Sequence, residues 1–189
     1  GSALAANGLA ASAFVVTHIA SAVAAFSWLL VEWIHRGKPT TLGAASGAVA
    51  GLVAITPGSG FVGPVSAILI GGVAGMICYG GVMLKGKLRY DDSLDVVAIH
   101  GLGGTWGALA TGLFASKAVN PAGSDGLFFG NPGQIGVQFL SVLATIVFAF
   151  GMTLILLKVV DWIAAIRVSD EDEERGMDIS LHDEKGYSF

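Results

Sequence analysis

Successive runs of about twenty apolar residues, separated by short polar or glycine-rich breaks, constrain this chain more than any other feature. Each run is long enough to cross a hydrocarbon layer of about 30 Å as a helix. Only 13% of the 189 residues are charged, and the charges cluster between the runs and in the last twenty or so residues. An ordinary soluble domain is about a quarter charged. The sequence therefore predicts an all-α, polytopic membrane protein.

We expect five transmembrane helices, because glycine, proline and interfacial residues divide the apolar runs. The predicted spans cover residues 9–34, 40–55, 62–84, 91–115 and 134–163. Glycines recur every four residues in the second and third spans, a pattern typical of membrane helices that pack closely. Residues 1–166 then form the membrane part, and residues 167–189 form a hydrophilic tail.

The basic residues that flank these spans predict the orientation of the chain. One side of a five-span alternation carries nearly all of them, namely Arg36, Lys38, Lys85, Lys87, Arg89 and Arg167. The other side carries only Lys117. Because basic residues accumulate on the cytoplasmic side of a membrane, we expect the tail to lie in the cytoplasm.

The predicted span 91–115 carries one ionisable side chain within its apolar part, that of His100. Read as an α-helix, it places small or medium side chains on the same face: Ser93, Val96, Val97, Gly103, Gly104, Gly107, Ala108 and Thr111. An ionisable residue inside a membrane helix is a functional-site hypothesis. A neutral imidazole has one donor and one acceptor nitrogen, so His100 can line a narrow pore and pass a small solute or a proton. The alternative is a buried histidine whose nitrogens are satisfied by neighbouring helices.

The other polar residues favour structural roles. His18, in the first span, has an ordinary packing face around it, which favours a structural or interface role. Asp92 and Asp95 open the span of His100, where carboxylates accept hydrogen bonds from free backbone N–H groups; Asp95 reaches further and needs a partner on another helix. The histidines do not have metal-ligand spacing and Cys78 stands alone, so we predict neither a metal site nor a cofactor.

Three stretches resemble the C-terminal half of ammonium transporters of the Amt/Mep/Rh family, and the resemblance covers essentially the whole chain. They are DDSLDVVAIHGLGGTWGALATGLFA (residues 91–115), GKPTTLGAASGAVAGLVAITPGSGFVGP (residues 37–64) and the tail with RVSDEDE and GMDISLHDE. The resemblance implies one half of an eleven-helix bundle built as an inverted repeat, assembled as a homotrimer with a pore in each subunit. It implies transport of ammonium or ammonia across the plasma membrane, with no enzymatic reaction and no nucleic-acid partner.

The resemblance also implies roles for particular residues. His100 matches the second of two mid-membrane pore histidines, which accept deprotonated ammonium or relay its proton. Ser2 matches a serine of the outer site that recruits ammonium, although Ser2 and Thr56 also suit helix capping and turns. Asp92 resembles a structural aspartate at the start of the helix, and Val96 and Thr56 match positions near the conduction path.

The acidic tail resembles the segment that contacts PII-type signal proteins, which block the cytoplasmic exit when nitrogen is plentiful. Its expected contact residues are Gly176, Asp178 and His182. The family's usual His-Gly-Glu reads His182-Asp183-Glu184 in this chain. A solvated acidic segment is the plainer interpretation of the tail.

The first five helices of the family, with the other pore histidine, have no counterpart in this sequence. We therefore expect the chain to be one piece of a split, inserted or permuted transporter, with a companion that supplies the missing half. Three alternatives stay open: an ammonium sensor that signals through the tail, an intramembrane enzyme with His100 as a base, and a pore for water or another neutral solute. The enzyme lacks a paired nucleophile or a metal-binding carboxylate within helical reach of His100.

Overall fold

The computed structural model describes residues 3–186, and its regular elements in that range are all helical. They are α1 (Gly8–Arg36), α2 (Thr41–Ile55), α3 (Pro64–Leu88), a π-helix (Val97–Leu102) that continues into α4 (Gly103–Phe114), a 3₁₀ turn (Leu127–Phe129), α5 (Gly133–Ile163), α6 (Asp170–Arg175) and α7 (Met177–His182). The all-α prediction is confirmed.

Three helices, α1, α3 and α5, are long and apolar enough to cross a membrane. They contain 29, 25 and 31 residues and correspond to the first, third and fifth predicted spans. The second predicted span corresponds to α2, which is apolar but has only 15 residues. The fourth corresponds to the π-helix with α4, and its helical structure begins at Val97 rather than at the predicted Asp91.

The first two helices have ends that are specified locally. The side chain of Asn7 accepts a hydrogen bond from the backbone N–H of Ala10 at 3.0 Å and caps α1. Gly37 ends α1 in the left-handed conformation, with φ of 77°, where glycine has no steric cost. Thr40 then caps α2, because its hydroxyl accepts from the N–H of Gly43 at 2.9 Å.

Glycine contacts hold α1, α2 and α3 together. Ala20 of α1 is fully buried, and Gly51 of α2 and Gly71 of α3 both approach its backbone. One helical turn further, Gly47 and Gly75 approach the backbone around Ala24 and Trp28 in the same way. The four-residue glycine spacing therefore serves close packing of helix backbones, as the sequence predicted.

The chain divides into two compact units. The first ends at Leu143 and contains α1 to α4 with the first residues of α5; the second begins at Ala144. In the second unit, Ser169 caps α6 by accepting from the N–H of Asp172 at 3.2 Å. This division follows contacts between residues, whereas the predicted division at residue 166 follows hydropathy.

Candidate functional site

His100 lies in the π-helix rather than in a regular α-helix. Its side chain is exposed on the surface of the chain, as are those of Val96 and Val97, which are 48% and 52% exposed. The intervening Ala98 and Ile99 are buried instead. Short π-helical turns are rare and frequently mark functional sites. The fold thus presents an imidazole on an apolar, open face of the helix that precedes α4.

The glycines that an α-helical interpretation places beside His100 face the interior of the bundle. A Cβ atom at Gly103 would lie 3.1 Å from the sulfur of Cys78 in α3, and one at Gly107 would lie 2.9 Å from the Cα of Ala54 in α2. The close approach of neighbouring helices expected at these glycines is therefore present, whereas the imidazole of His100 is exposed. Because a π-turn contains more residues than an α-turn, it rotates the positions after it relative to those before it.

The carboxylate of Asp92 caps the start of the π-helix. Its Oδ1 accepts from the N–H of Val96 and its Oδ2 accepts from the N–H of Val97, each at 2.9 Å. These amides belong to the first turn, where N–H groups have no partner within the helix. The negative charge also suits the positive end of the helix dipole. The cap explains why the helical structure starts near Val97 and not at Asp91.

Asp95 has its partner on another helix, in Lys85 near the end of α3. The ammonium group of Lys85 forms an ion pair with the Asp95 carboxylate and donates to the backbone carbonyl of Asp92 at 2.8 Å. Asp95 itself adopts a left-handed conformation with φ of 56°. One lysine thus contacts two residues of the segment that leads into the π-helix.

Among the described residues, no hydrogen bond links the pore candidate Thr56 to His100. Ser2 lies outside the described residues. Thr56 is exposed at the end of α2, and its hydroxyl donates to the carbonyl of Leu52 at 2.7 Å. The next residue, Pro57, lines a cavity of about 280 Å³ that is also bordered by Thr111 and Gln138.

His18 is likewise exposed on a helical face. Its Nδ1 lies 3.0 Å from the backbone carbonyl oxygen of Phe14, and its ring centroid lies 4.2 Å from that of Phe14. These local contacts are made within α1, and the structural or interface role of His18 stays a prediction. Among residues 3–186, no three His, Cys, Asp or Glu side chains cluster as a metal site would require.

The three tail residues expected to contact a PII-type protein lie in α7 or directly before it. Gly176 separates the two helices with φ of 95°, a conformation that favours glycine. Asp178 lies in the first turn of α7, and its backbone carbonyl accepts from the N–H of Glu184 at 3.0 Å. His182 is the last residue of α7, and Asp183 follows it in a left-handed conformation with φ of 51°.

Sequence reasoning missed a buried carboxylate, that of Glu32, which is only 3% exposed. It accepts from the N–H and the hydroxyl of Thr40 at 3.1 and 3.0 Å, and its Oε1 lies 3.8 Å from the guanidinium of Arg36. Glu32 thereby holds the connection between α1 and α2. A single acid within a predicted membrane span was the signal that could have identified it.

Apolar helices of membrane-spanning length and backbone packing through glycine define an integral helical membrane protein. The chain belongs to the ammonium transporter family: the sequence model of the Ammonium Transporter Family matches residues 1–187.

Individual relatives agree with this assignment. The ammonium transporter of Bacillus subtilis (strain 168) is 50% identical over 188 residues, which cover 99% of this chain and 46% of that protein. The crystal structure of Saccharomyces cerevisiae Mep2 superposes with a TM-score of 0.85 at 38% identity, over 90% of this chain and 40% of that one. A structure described as a sensor Amt protein gives a TM-score of 0.80 at 28% identity, over 95% of this chain and 44% of that one. The chain thus spans about half the length of the curated relatives it matches.

Proposed function

We propose that this chain is the C-terminal half of a transporter that moves ammonium or ammonia across the plasma membrane, with His100 lining the pore. The observation that carries the proposal is the exposed imidazole on the apolar π-helix. An ionisable side chain at membrane depth almost always faces protein or a water-filled passage rather than lipid. The open side of His100 is therefore the place where a conduction path would pass.

The chemistry of an imidazole suits this substrate. Ammonium can give up its proton to the acceptor nitrogen of a neutral imidazole, which relays it inward, and can cross an apolar passage as ammonia, which takes up a proton again on the inner side. A potassium ion has no proton to lose and must stay charged, so it pays the full cost of desolvation in the same passage. Selection of ammonium over potassium follows from this difference.

The complete transporter requires further parts. We propose that a companion segment supplies the missing half with the opposing wall of the pore, and that complete subunits form a homotrimer. Support comes from the share of the relatives' length that the chain covers, about half. Exposed apolar side chains along α5 are compatible with a lipid bilayer and with neighbouring helices.

We propose the other pore residues because their positions match pore positions of the ammonium transporter family. Ser2 would offer an oxygen to arriving ammonium at the outer side, and Thr56 and Val96 would border the path. Thr56 and Val96 are both exposed, which leaves them available to a second wall. Asp92 and Asp95 support the site through the backbone that leads to His100.

The proposed transport is tested by replacing His100 with Ala or Asp in the complete transporter and measuring ammonium current and potassium current in parallel. We expect a loss of ammonium transport or an admission of potassium. His18→Ala is the matched control, because it removes another exposed histidine and should leave the selectivity between ammonium and potassium unchanged. Unchanged current and unchanged selectivity in both His100 variants would remove His100 from the mechanism.

The same currents distinguish the sensor alternative, since a sensor would bind ammonium without appreciable current. This alternative is not favoured, because the relative with 50% identity is named a transporter, whereas the structure described as a sensor is 28% identical. Competition by methylammonium separates an ammonium pathway from a pore for water or another neutral solute.

We also propose that the cytoplasmic tail binds a PII-type signal protein through Gly176, Asp178 and His182. The positive φ of Gly176 and the left-handed conformation of Asp183 set the two ends of α7 and support a defined surface rather than a featureless acidic segment. Binding of a purified PII-type protein to the complete transporter should weaken in a His182→Ala variant. Equal binding to a transporter that lacks residues 170–189 would exclude the tail as the docking surface.

A further inference from the structure

We propose that Lys85 is a positioning residue, which fixes the backbone at the start of the π-helix and so determines where His100 is presented. The proposal rests on the proposed function of His100. The ammonium group of Lys85 pairs with the carboxylate of Asp95 and donates to the carbonyl of Asp92. The side chains of Lys85 and Asp95 are only 23% and 27% exposed, so solvent screens this pair less than a surface pair.

The residue that Lys85 holds has an unfavourable backbone conformation. Asp95 lies in the left-handed region with φ of 56°, which costs free energy for a residue with a side chain, although aspartate tolerates it better than most. Its carbonyl accepts from the N–H of Ile99 at 2.9 Å, next to His100. The ion pair to Lys85 therefore stabilises a conformation on which the first turn of the π-helix depends.

Lys85 acts together with two other contacts from the same face of α3. Residues 78, 81 and 85 share one side of an α-helix, since they are three and four positions apart. A Cβ at Gly81 would lie 3.0 Å from the Cβ of Ala98, and the thiol of Cys78 donates to the carbonyl of Ile99 at 3.9 Å. These contacts hold Ala98 and Ile99, the two residues that immediately precede His100. Lys85 fixes the beginning of the same segment.

Loss of the lysine would release the beginning of the π-helix while the end stays packed on α3. The Asp95 carboxylate would then lose its cation and the Asp92 carbonyl its donor, and Asp95 could leave its left-handed conformation. A π-turn differs from an α-turn by its extra residue, so relaxation to a regular helix would rotate His100 relative to Gly103. A small change in the position of a reacting or binding group can have large effects on rate.

The test compares Lys85→Met, Lys85→Arg and Lys87→Met in the complete transporter. Lys87 is the matched control, because it is a lysine on the same helix that is exposed. Two quantities are measured: hydrogen exchange of the backbone amides in residues 96–103, and the ratio of ammonium to potassium permeation at equal protein abundance. We expect Lys85→Met to raise the exchange rate and to lower the permeation ratio, each by about tenfold. Lys85→Arg keeps the charge and the donors and should restore most of both, and Lys87→Met should change neither.

The two readouts separate the possible failures. Unchanged exchange in Lys85→Met would show that the lysine does not hold this segment and would overturn the proposal whatever His100 does. Faster exchange with an unchanged permeation ratio, in a transporter whose ratio does respond to His100→Ala, would overturn the positioning role alone. If His100→Ala leaves the ratio unchanged, the proposed function fails and the positioning of His100 for conduction fails with it.

Discussion

Replacing Gly71 with alanine tests whether backbone contact between α1 and α3 holds the bundle together. A Cβ at Gly71 would lie 2.8 Å from the Cα and 2.9 Å from the carbonyl carbon of Ala20, and its nearest neighbour would be the carbonyl oxygen of Ala20. Ordinary contacts begin at 3.4 Å, so the two helices must separate by at least about 0.6 Å to clear the Cα, and by more to clear the carbonyl oxygen. These neighbours are backbone atoms, which cannot rotate away as a flexible side chain can.

The expected magnitude has two opposing contributions. Forcing extra atoms into a well-packed interior costs about 1–3 kcal/mol. Alanine also favours a helix over glycine by about 1 kcal/mol, which offsets part of that cost. Gly80→Ala isolates the second contribution, because Gly80 lies in the same helix, is exposed and has nothing within 4 Å of its Cβ position. The two variants should therefore differ by about 1–3 kcal/mol, with Gly71→Ala the less stable.

The assay is thermal unfolding of the complete transporter in detergent, with both variants at equal concentration. The midpoint shifts by about 2–4 °C per kcal/mol for a unit of 150–250 residues and by about half as much for a transporter twice as long, so a difference of about 2 kcal/mol corresponds to roughly 2–4 °C. A Gly71→Ala transporter that unfolds at the same temperature as Gly80→Ala would refute the argument. It would mean that α1 and α3 adjust to the added methyl group without loss of packing.

Three further substitutions and one control test individual side chains. Glu32→Ala should destabilise the connection between α1 and α2 by about 2 kcal/mol, because it removes a buried acceptor of two hydrogen bonds. Limited proteolysis of this connection should therefore be faster. The control Arg36→Met should have little effect on proteolysis, because the Arg36 side chain is 57% exposed and lies 3.8 Å from the Glu32 carboxylate. Trp106→Phe should lower the unfolding midpoint by an amount equivalent to about 1 kcal/mol, since the indole N–H donates to the carbonyl of Ile70 at 3.0 Å. Asp92→Ala removes a cap and should cost about 1 kcal/mol, seen as helix loss in circular dichroism at elevated temperature.

The sequence by itself determined the class of the molecule and the approximate extent of its helices. Apolar runs of membrane-spanning length, interrupted by glycine and proline, predict helices at the places where α1, α2, α3 and α5 occur. Hydropathy and capping are local properties, so they can be read from neighbouring residues along the chain. His100 is an ionisable residue within an apolar run, which is also a local property. The sequence could therefore identify it as the candidate residue.

Only the tertiary structure decided which way the residues around His100 face. The π-turn changes the helical period, so Gly103 and Gly107 pack inward while His100 stays exposed. The partner of Asp95 is Lys85 on another helix, and sequence periodicity does not say which residue of another helix a side chain meets. Contacts of this kind depend on how α3 and the π-helix pack, because the neighbours that satisfy a charge or fill a glycine's space come from distant parts of the chain.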